Sequence, residues 1–173
     1  MASEMHTVLA SIELFEGLED AELHRIIEVG RVEHWKRGAR VLEEGAYGPR
    51  MMVVLAGAVE VLRRDAAGVQ RGLAALGPGE VLGEMSLLLD LPRTATVRAT
   101  SALTVFAMDR LAFHEMVHVG DPAILKLGLA LSRVLAKRLE ALNSGVLHLI
   151  AESDELRERF GTVRQGVFKL WEF

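Results

Sequence analysis

Short apolar segments separated by turn glycines fill the middle of the chain, from Arg31 to Met108. Strands are predicted at residues 40–43, 51–55, 59–63, 94–99 and 104–108. Gly77-Pro78-Gly79 forms a tight turn of the kind that adjacent proline and glycine favour. Because many short strands at such spacing are typical of a sandwich or a jelly-roll barrel, we predict a mainly β fold.

Helical periodicity flanks this region on both sides. A helical lead-in is predicted over residues 1–17, and an amphipathic helix that carries Leu23, Ile26 and Ile27 is predicted to end at Gly30. From Asp109 the pattern is helical again, with a break at Gly120. Asp121 and Pro122 suit the first positions of a second, longer helix. The predicted fold is therefore a β core with helices before and after it.

The long helix carries a wide apolar stripe. Its members are Ile124, Leu127, Leu131, Val134, Leu135, Leu139 and Leu142. Only part of such a stripe can face the β core, so the remainder predicts a partner helix, most simply that of a second copy in a homodimer. The alternative is a wide intramolecular face.

Composition bounds the class of protein and its partners. The chain has 173 residues, half of them hydrophobic, which suffices for one globular domain with a real core. A net charge of −4 gives no overall basic field to attract nucleic acid or anionic lipid. Neither a secretory signal nor a membrane-spanning helix is predicted. The lack of cysteine is compatible with a reducing compartment, so we expect a cytoplasmic protein.

The stretch from Gly83 to Ala95, GEMSLLLDLPRTA, has the parts needed to hold a small phosphorylated ligand. Gly83 lets backbone approach the ligand, and free N–H groups at the start of a short helix, predicted at residues 85–89, attract an anion. Arg93 offers a planar fork to phosphate oxygens, while Glu84 can accept hydrogen bonds from sugar hydroxyls. A structural ion pair between these two is the alternative, but an exposed pair contributes only about 0–1 kcal/mol.

The order of these parts resembles the cyclic nucleotide-binding domain family over about residues 12–143. The family includes bacterial catabolite activators, regulatory subunits of cyclic-nucleotide-dependent kinases and gated channels. Its markers in this chain are Gly45, Gly57, Gly83, Glu84, Arg93, Thr94 and Ala95. The resemblance implies an eight-stranded jelly-roll β-barrel with an N-terminal helix, a short phosphate-binding helix and two C-terminal helices. It also implies one domain over residues 1–143, followed by a helical and aromatic extension over 144–173.

The resemblance further implies a role for individual residues. The expected ligand-binding set is Gly83, Glu84, Met85, Ser86, Arg93, Thr94, Ala95, Val61, Leu73, Leu82 and Asn143. By position, the first two match the ribose-binding pair, the next two supply backbone N–H groups, and Arg93 matches the arginine on the cyclic phosphate. Thr94 gives a further N–H group and a hydroxyl, the apolar residues flank the purine, and Asn143 lies near the base edge. Leu82 replaces a frequent phenylalanine, and residues 47–50 form an atypical loop.

The function implied by the resemblance is a non-enzymatic receptor for cAMP or cGMP, without a prosthetic group. We favour cAMP as the commoner bacterial ligand, although a hydroxyl such as that of Thr94 can bond the guanine amino group. Activator-type members continue into a helix-turn-helix, but only about thirty residues follow Leu142 here. We therefore expect a stand-alone sensor that signals through its C-terminal helices to a dimer mate or another protein, without nucleic acid.

One motif points to a different function. His114-Glu115-Met116-Val117-His118 matches H-E-x-x-H, in which two histidines on one helical face bind zinc and the glutamate activates water. The third histidine of the extended motif is missing, and a further ligand would have to come from a residue such as Glu140. A zinc hydrolase and a ligand-free interaction module therefore remain as alternatives to the receptor.

Overall fold

A computed structural model describes residues 2–89 and 91–153 of the chain, with side-chain environments from Glu4 onward. Strands in this part of the chain are β1 (Gly30–Trp35), β2 (Arg40–Leu42), β3 (Arg50–Ala56), β4 (Val59–Arg64), β5 (Gln70–Leu76), β6 (Val81–Leu82), β7 (Thr96–Ala99) and β8 (Leu103–Asp109). Helices are α1 (Ala2–Ala10), α2 (Asp20–Val29), α3 (Glu84–Leu88), α4 (Arg110–His118) and α5 (Pro122–Glu152), with a 3₁₀ turn at Glu13–Phe15. The predicted class, mainly β with flanking helices, is confirmed.

The strands form two antiparallel sheets. One has the order β1-β8-β3-β6 and the other the order β2-β7-β4-β5. Apolar side chains from both sheets meet in one buried cluster that includes Val54, Val59, Val97 and Val105. Alternate apolar residues of β3, β7 and β8 face this cluster, and in β3 and β8 the apolar residues between them are buried as well. The two sheets thus share a core.

The N-terminal helices pack on the first sheet. The rings of Phe15 and Phe106 meet edge to face with centroids 6.3 Å apart. At the start of α2, Glu19 and Glu22 form a capping box, in which the Glu19 N–H donates to the Glu22 carboxylate at 2.8 Å. The helix ends at Val29, as predicted, and Gly30 begins β1.

Helix α5 is long and begins as predicted. The Ala123 N–H donates to Asp121 Oδ1 at 2.8 Å, so that Asp121 caps the helix. The chain divides into two compact units, Met1–Leu131 and a second that begins at Ser132 within this helix. The predicted boundary after Asn143 also falls within the helix and stays a prediction, and the aromatic tail lies outside the described residues.

The apolar stripe of α5 is buried at its beginning. Ile124, Leu127 and Leu131 are fully buried in the first unit, whereas Leu139 and Leu142 are 50% and 64% exposed. None of the described helices is both long and apolar enough to span a lipid bilayer.

Candidate functional site

Gly83 connects β6 to α3 in a conformation that suits glycine. Its φ is +72°, in the left-handed region, and it occupies the N-cap position of α3. A Cβ atom at this position would lie 2.2 Å from Arg93 Nη1 and 3.0 Å from the Arg50 carbonyl oxygen. The missing side chain therefore makes room for the Arg93 guanidinium, which no other residue type would do without displacing it.

Arg93 is held by its backbone and by its side chain. Its N–H donates to the Ala46 carbonyl, and its own carbonyl accepts from the Gly45 N–H, both at 2.9 Å. The side chain is 6% exposed, and Nη1 donates to the Gly83 carbonyl at 3.0 Å while Nη2 donates to the Arg50 carbonyl at 2.5 Å. A guanidinium has five N–H donors, so the described residues engage two of them and leave the rest for a ligand.

The surroundings of Arg93 favour an anion. Burial lowers the pKa of Arg93, the nearby Arg50 lowers it further, and Glu84 acts in the opposite direction. The side chain remains charged because arginine does not lose its proton in proteins. Since this environment disfavours the cation, a phosphate beside it would be stabilised.

Helix α3 places the other residues of the predicted phosphate and ribose site. It begins at Glu84 and ends at Leu88, one residue earlier than predicted at each end. Glu84 and Ser86 are buried, and Leu87 is completely buried, which anchors the short helix. Met85 is exposed on its other side.

Thr94 and Ala95 do not belong to a strand. The strand was predicted to begin at Thr94, but β7 begins at Thr96, where the Glu44 N–H donates to Thr96 Oγ1 at 3.1 Å. Arg93 and Thr94 therefore lie in an irregular segment, whose backbone is held in place by the hydrogen bonds that Arg93 forms with Gly45 and Ala46. Thr94 is exposed and Ala95 half-buried.

The structure brings together only some of the residues predicted to flank the purine. Val61 packs against the core cluster that contains Leu82. Leu73, at 60% exposed, is the extra residue of a β-bulge, because Val61 pairs with Ala74 while Leu62 pairs with Gly72. Asn143 is exposed on α5 and belongs to the second unit, so its predicted reach to the base stays a prediction.

Two residues of the site were missed by the sequence analysis, which noted their loop only as atypical. Arg50 supplies the carbonyl that accepts from Arg93, and a Cβ atom at Gly48 would lie 3.0 Å from Arg93 Nη2. The Arg50 side chain points elsewhere and donates to Glu33 at 2.5 Å. The Gly48-Pro49 pair was the only sequence signal for this close approach.

The sequence profile described as the cyclic nucleotide-binding domain matches residues 32–119, about half of the chain and the whole of the site around Arg93. The chain belongs to the cyclic nucleotide-binding domain family. This confirms the resemblance that the glycines, Glu84 and Arg93 indicated.

Known members of the cyclic nucleotide-binding domain family resemble this chain in sequence and fold. A CRP-like cAMP-activated global transcriptional regulator of Mycobacterium tuberculosis is 28% identical over 175 residues, which cover 96% of this chain and 76% of the regulator. The catabolite activator protein of Thermus thermophilus has a TM-score of 0.70 at 28% identity, over 80% of this chain and 63% of that one. A cyclic nucleotide-binding domain from Methylobacillus flagellatus has a TM-score of 0.75 at 22% identity, over 84% and 82% of the two chains.

The H-E-x-x-H motif lies on α4, outside the site around Arg93. His114, Glu115 and His118 are all exposed. Over the described residues, no group of three His, Cys, Asp or Glu side chains is placed to hold a metal ion. Glu140, the further ligand considered above, belongs to the second unit.

Proposed function

We propose that this chain is a non-enzymatic receptor for a cyclic purine mononucleotide, with cAMP preferred to cGMP. The observation that carries the proposal is the placement of Arg93. Its buried guanidinium is fixed by two carbonyl oxygens, and it lies so close to Gly83 that a side chain at that position would displace it. A structural ion pair would not require this arrangement, whereas a cyclic phosphate would use the remaining N–H donors.

The proposed ligand lies across α3 and β4. Its phosphate receives hydrogen bonds from Arg93, from the backbone N–H groups of Met85 and Ser86, and from Thr94. Its ribose 2′-hydroxyl donates to the Glu84 carboxylate, next to Gly83. Val61, Leu73 and Leu82 flank the purine, and Asn143 meets the base edge. Burial of Glu84 supports this role, because a buried carboxylate gains from a hydroxyl donor.

The preference for cAMP is supported by the relatives. The Mycobacterium tuberculosis regulator is described as cAMP-activated. cGMP is the competing ligand, because the exposed hydroxyl of Thr94 is available to the guanine amino group. The relative affinity for the two nucleotides therefore belongs in the first experiment.

The proposed output passes through α5. A nucleotide that binds one position of this helix better than another shifts the population of the two positions. The exposed Leu139 and Leu142 support contact with the same helix of a second copy, or with another protein. The proposed setting is the cytoplasm, and the net charge of −4 gives no reason to include nucleic acid.

The experiment is a calorimetric titration of purified, nucleotide-free protein with cAMP, cGMP and 5′-AMP, with mass spectrometry of any small molecule that copurifies. We expect saturable binding of one cyclic nucleotide per chain, tighter for cAMP, and much weaker binding of 5′-AMP. Base and ribose are shared by cAMP and 5′-AMP, so this comparison isolates the cyclic phosphate. Absence of heat with all three nucleotides would contradict the proposal.

A further inference from the structure

Two of the six histidines differ from the other four in their surroundings. The other four each lie within 3.5 Å of a carboxylate or hydroxyl oxygen: His6 with Asp20, His24 with Glu28, His34 with Thr104 and His148 with Glu152. The described residues offer no such oxygen to His114 or His118. Their imidazole nitrogens are therefore available to a ligand from outside the chain.

These two histidines share one side of a regular helix. Both belong to α4 and lie four residues apart, so their Cβ atoms are about 5–6 Å from each other. The His114 ring meets the buried Phe113 ring edge to face, with centroids 5.7 Å apart, which limits its orientations. Two imidazoles at this spacing can coordinate one metal ion together.

The surface around them is open and mostly apolar. His114 and His118 line one shallow depression of about 560 Å³ together with Leu111, Val117 and Val119. Glu115 lines it too, three residues before His118 and hence on a neighbouring part of the helix surface. The open side of the depression admits water to the two histidines.

We propose that His114 and His118 bind one divalent transition-metal ion of the class that prefers imidazole, with water completing its coordination. Imidazole nitrogen suits Cu²⁺, Ni²⁺ and Zn²⁺, whereas Mg²⁺ prefers oxygen. The general affinity order places Cu²⁺ above both Ni²⁺ and Zn²⁺. The inference concerns binding alone and includes no hydrolysis. It stands independently of the nucleotide site.

The test uses the full chain, stripped of metal with a chelator that is then removed. Cu²⁺, Ni²⁺, Zn²⁺ and Mg²⁺ are titrated separately into wild type, His114→Ala, His118→Ala and the double variant. His24→Ala is the matched control, since His24 is also an exposed helical histidine, but one beside a carboxylate. Circular dichroism verifies that each variant folds.

We expect one equivalent of Cu²⁺, Ni²⁺ or Zn²⁺ to bind, and no binding of Mg²⁺ at the same concentrations. Removing a residue that only holds a metal ligand in place costs about 10- to 100-fold in metal affinity. Removing a ligand itself should cost no less, so we expect each single variant to lose at least about tenfold in affinity. His24→Ala should bind like wild type. In the electron paramagnetic resonance spectrum of the Cu²⁺ complex, nitrogen splitting should report two imidazoles in wild type and one in each single variant. Unchanged affinity in the double variant, or an equal loss in His24→Ala, would overturn the proposal.

Discussion

At the scale of single residues, the proposed function depends on a charged side chain held by neutral oxygens. The carbonyl oxygens of Gly83 and Arg50 accept hydrogen bonds from the Arg93 guanidinium and fix its position. A side chain fixed in this way loses little conformational freedom when a phosphate binds. The site is thus organised by the protein's own backbone.

Gly83 gives a prediction with a matched control. Gly83→Ala and Gly68→Ala both place a side chain at positive φ, +72° and +78°, and should each lose roughly 1–2 kcal/mol of stability. Only at Gly83 does the new Cβ meet Arg93, because the position at Gly68 is open. Urea unfolding should therefore show the larger loss in Gly83→Ala, where displacement of Arg93 adds to the backbone strain, and calorimetry should show lost cAMP affinity in Gly83→Ala alone. Wild-type affinity in Gly83→Ala would contradict this account of the glycine.

Residues of distinctive chemistry attracted attention in the sequence, whereas a residue that contributes only a carbonyl oxygen did not. Gly83, Glu84 and Arg93 stood out because glycine, carboxylate and guanidinium have distinct chemical uses. Arg50 contributes its carbonyl oxygen, which every residue type has, so its identity carried no signal for this contact. Leu73 was predicted to flank the purine from its position in the family pattern alone. Its exposure follows from a β-bulge, which no feature of the sequence indicates.

At the scale of helices and strands, Asp121 joins two elements of the first unit. It caps α5, and its carboxylate accepts from Arg25 of α2 at 2.8 and 3.1 Å. The hydrogen bond from Arg25 holds the pKa of Asp121 below its usual range, against the effect of burial. Because the native pKa is depressed, the stabilisation is present above the unfolded pKa, near 3.9, and is lost as pH falls through the native pKa.

Asp121→Asn tests this connection, since asparagine still caps a helix but cannot form the ion pair. We expect a lower free energy of unfolding than wild type at pH 7, and a difference that shrinks as the pH falls below the unfolded pKa of about 3.9. Urea unfolding across this range measures both. Glu16→Gln is the control, because the Glu16 side chain is exposed and lies outside the two helices. A difference between Asp121→Asn and wild type that stays constant with pH would assign the loss to packing instead of charge.

All four central strands were predicted from the sequence, but of the four edge strands only β2 was. Strands β3, β4, β7 and β8 each pair with two neighbours inside their sheets, and they contain apolar residues that are buried in the structure. Strands β1, β5 and β6, which were not delimited from the sequence, each lie at a sheet edge. Strand β5 is exposed along almost its whole length, so it lacks the alternation that predicts a half-buried strand.

At the scale of the whole molecule, the proposed homodimer depends on the exposed part of the α5 stripe. Replacing both Leu139 and Leu142 with lysine should shift the chain from dimer to monomer, because like charges would face each other where apolar side chains now lie. Sedimentation velocity measures the assembly. Leu111→Lys is the control, since Leu111 is also exposed but belongs to α4. A dimer that survives the double change would place the interface elsewhere.

The central claim is that a cyclic phosphate binds Arg93, and calorimetric titration of Arg93→Ala with cAMP tests it most directly. Arg98→Ala is the control, because Arg98 follows five residues later but is exposed and donates to Glu60. A charged hydrogen bond contributes about 1.5–3 kcal/mol, so Arg93→Ala should bind cAMP about ten- to a hundred-fold more weakly than wild type. Arg98→Ala should bind like wild type. Equal affinity of wild type and Arg93→Ala for cAMP would contradict the claim.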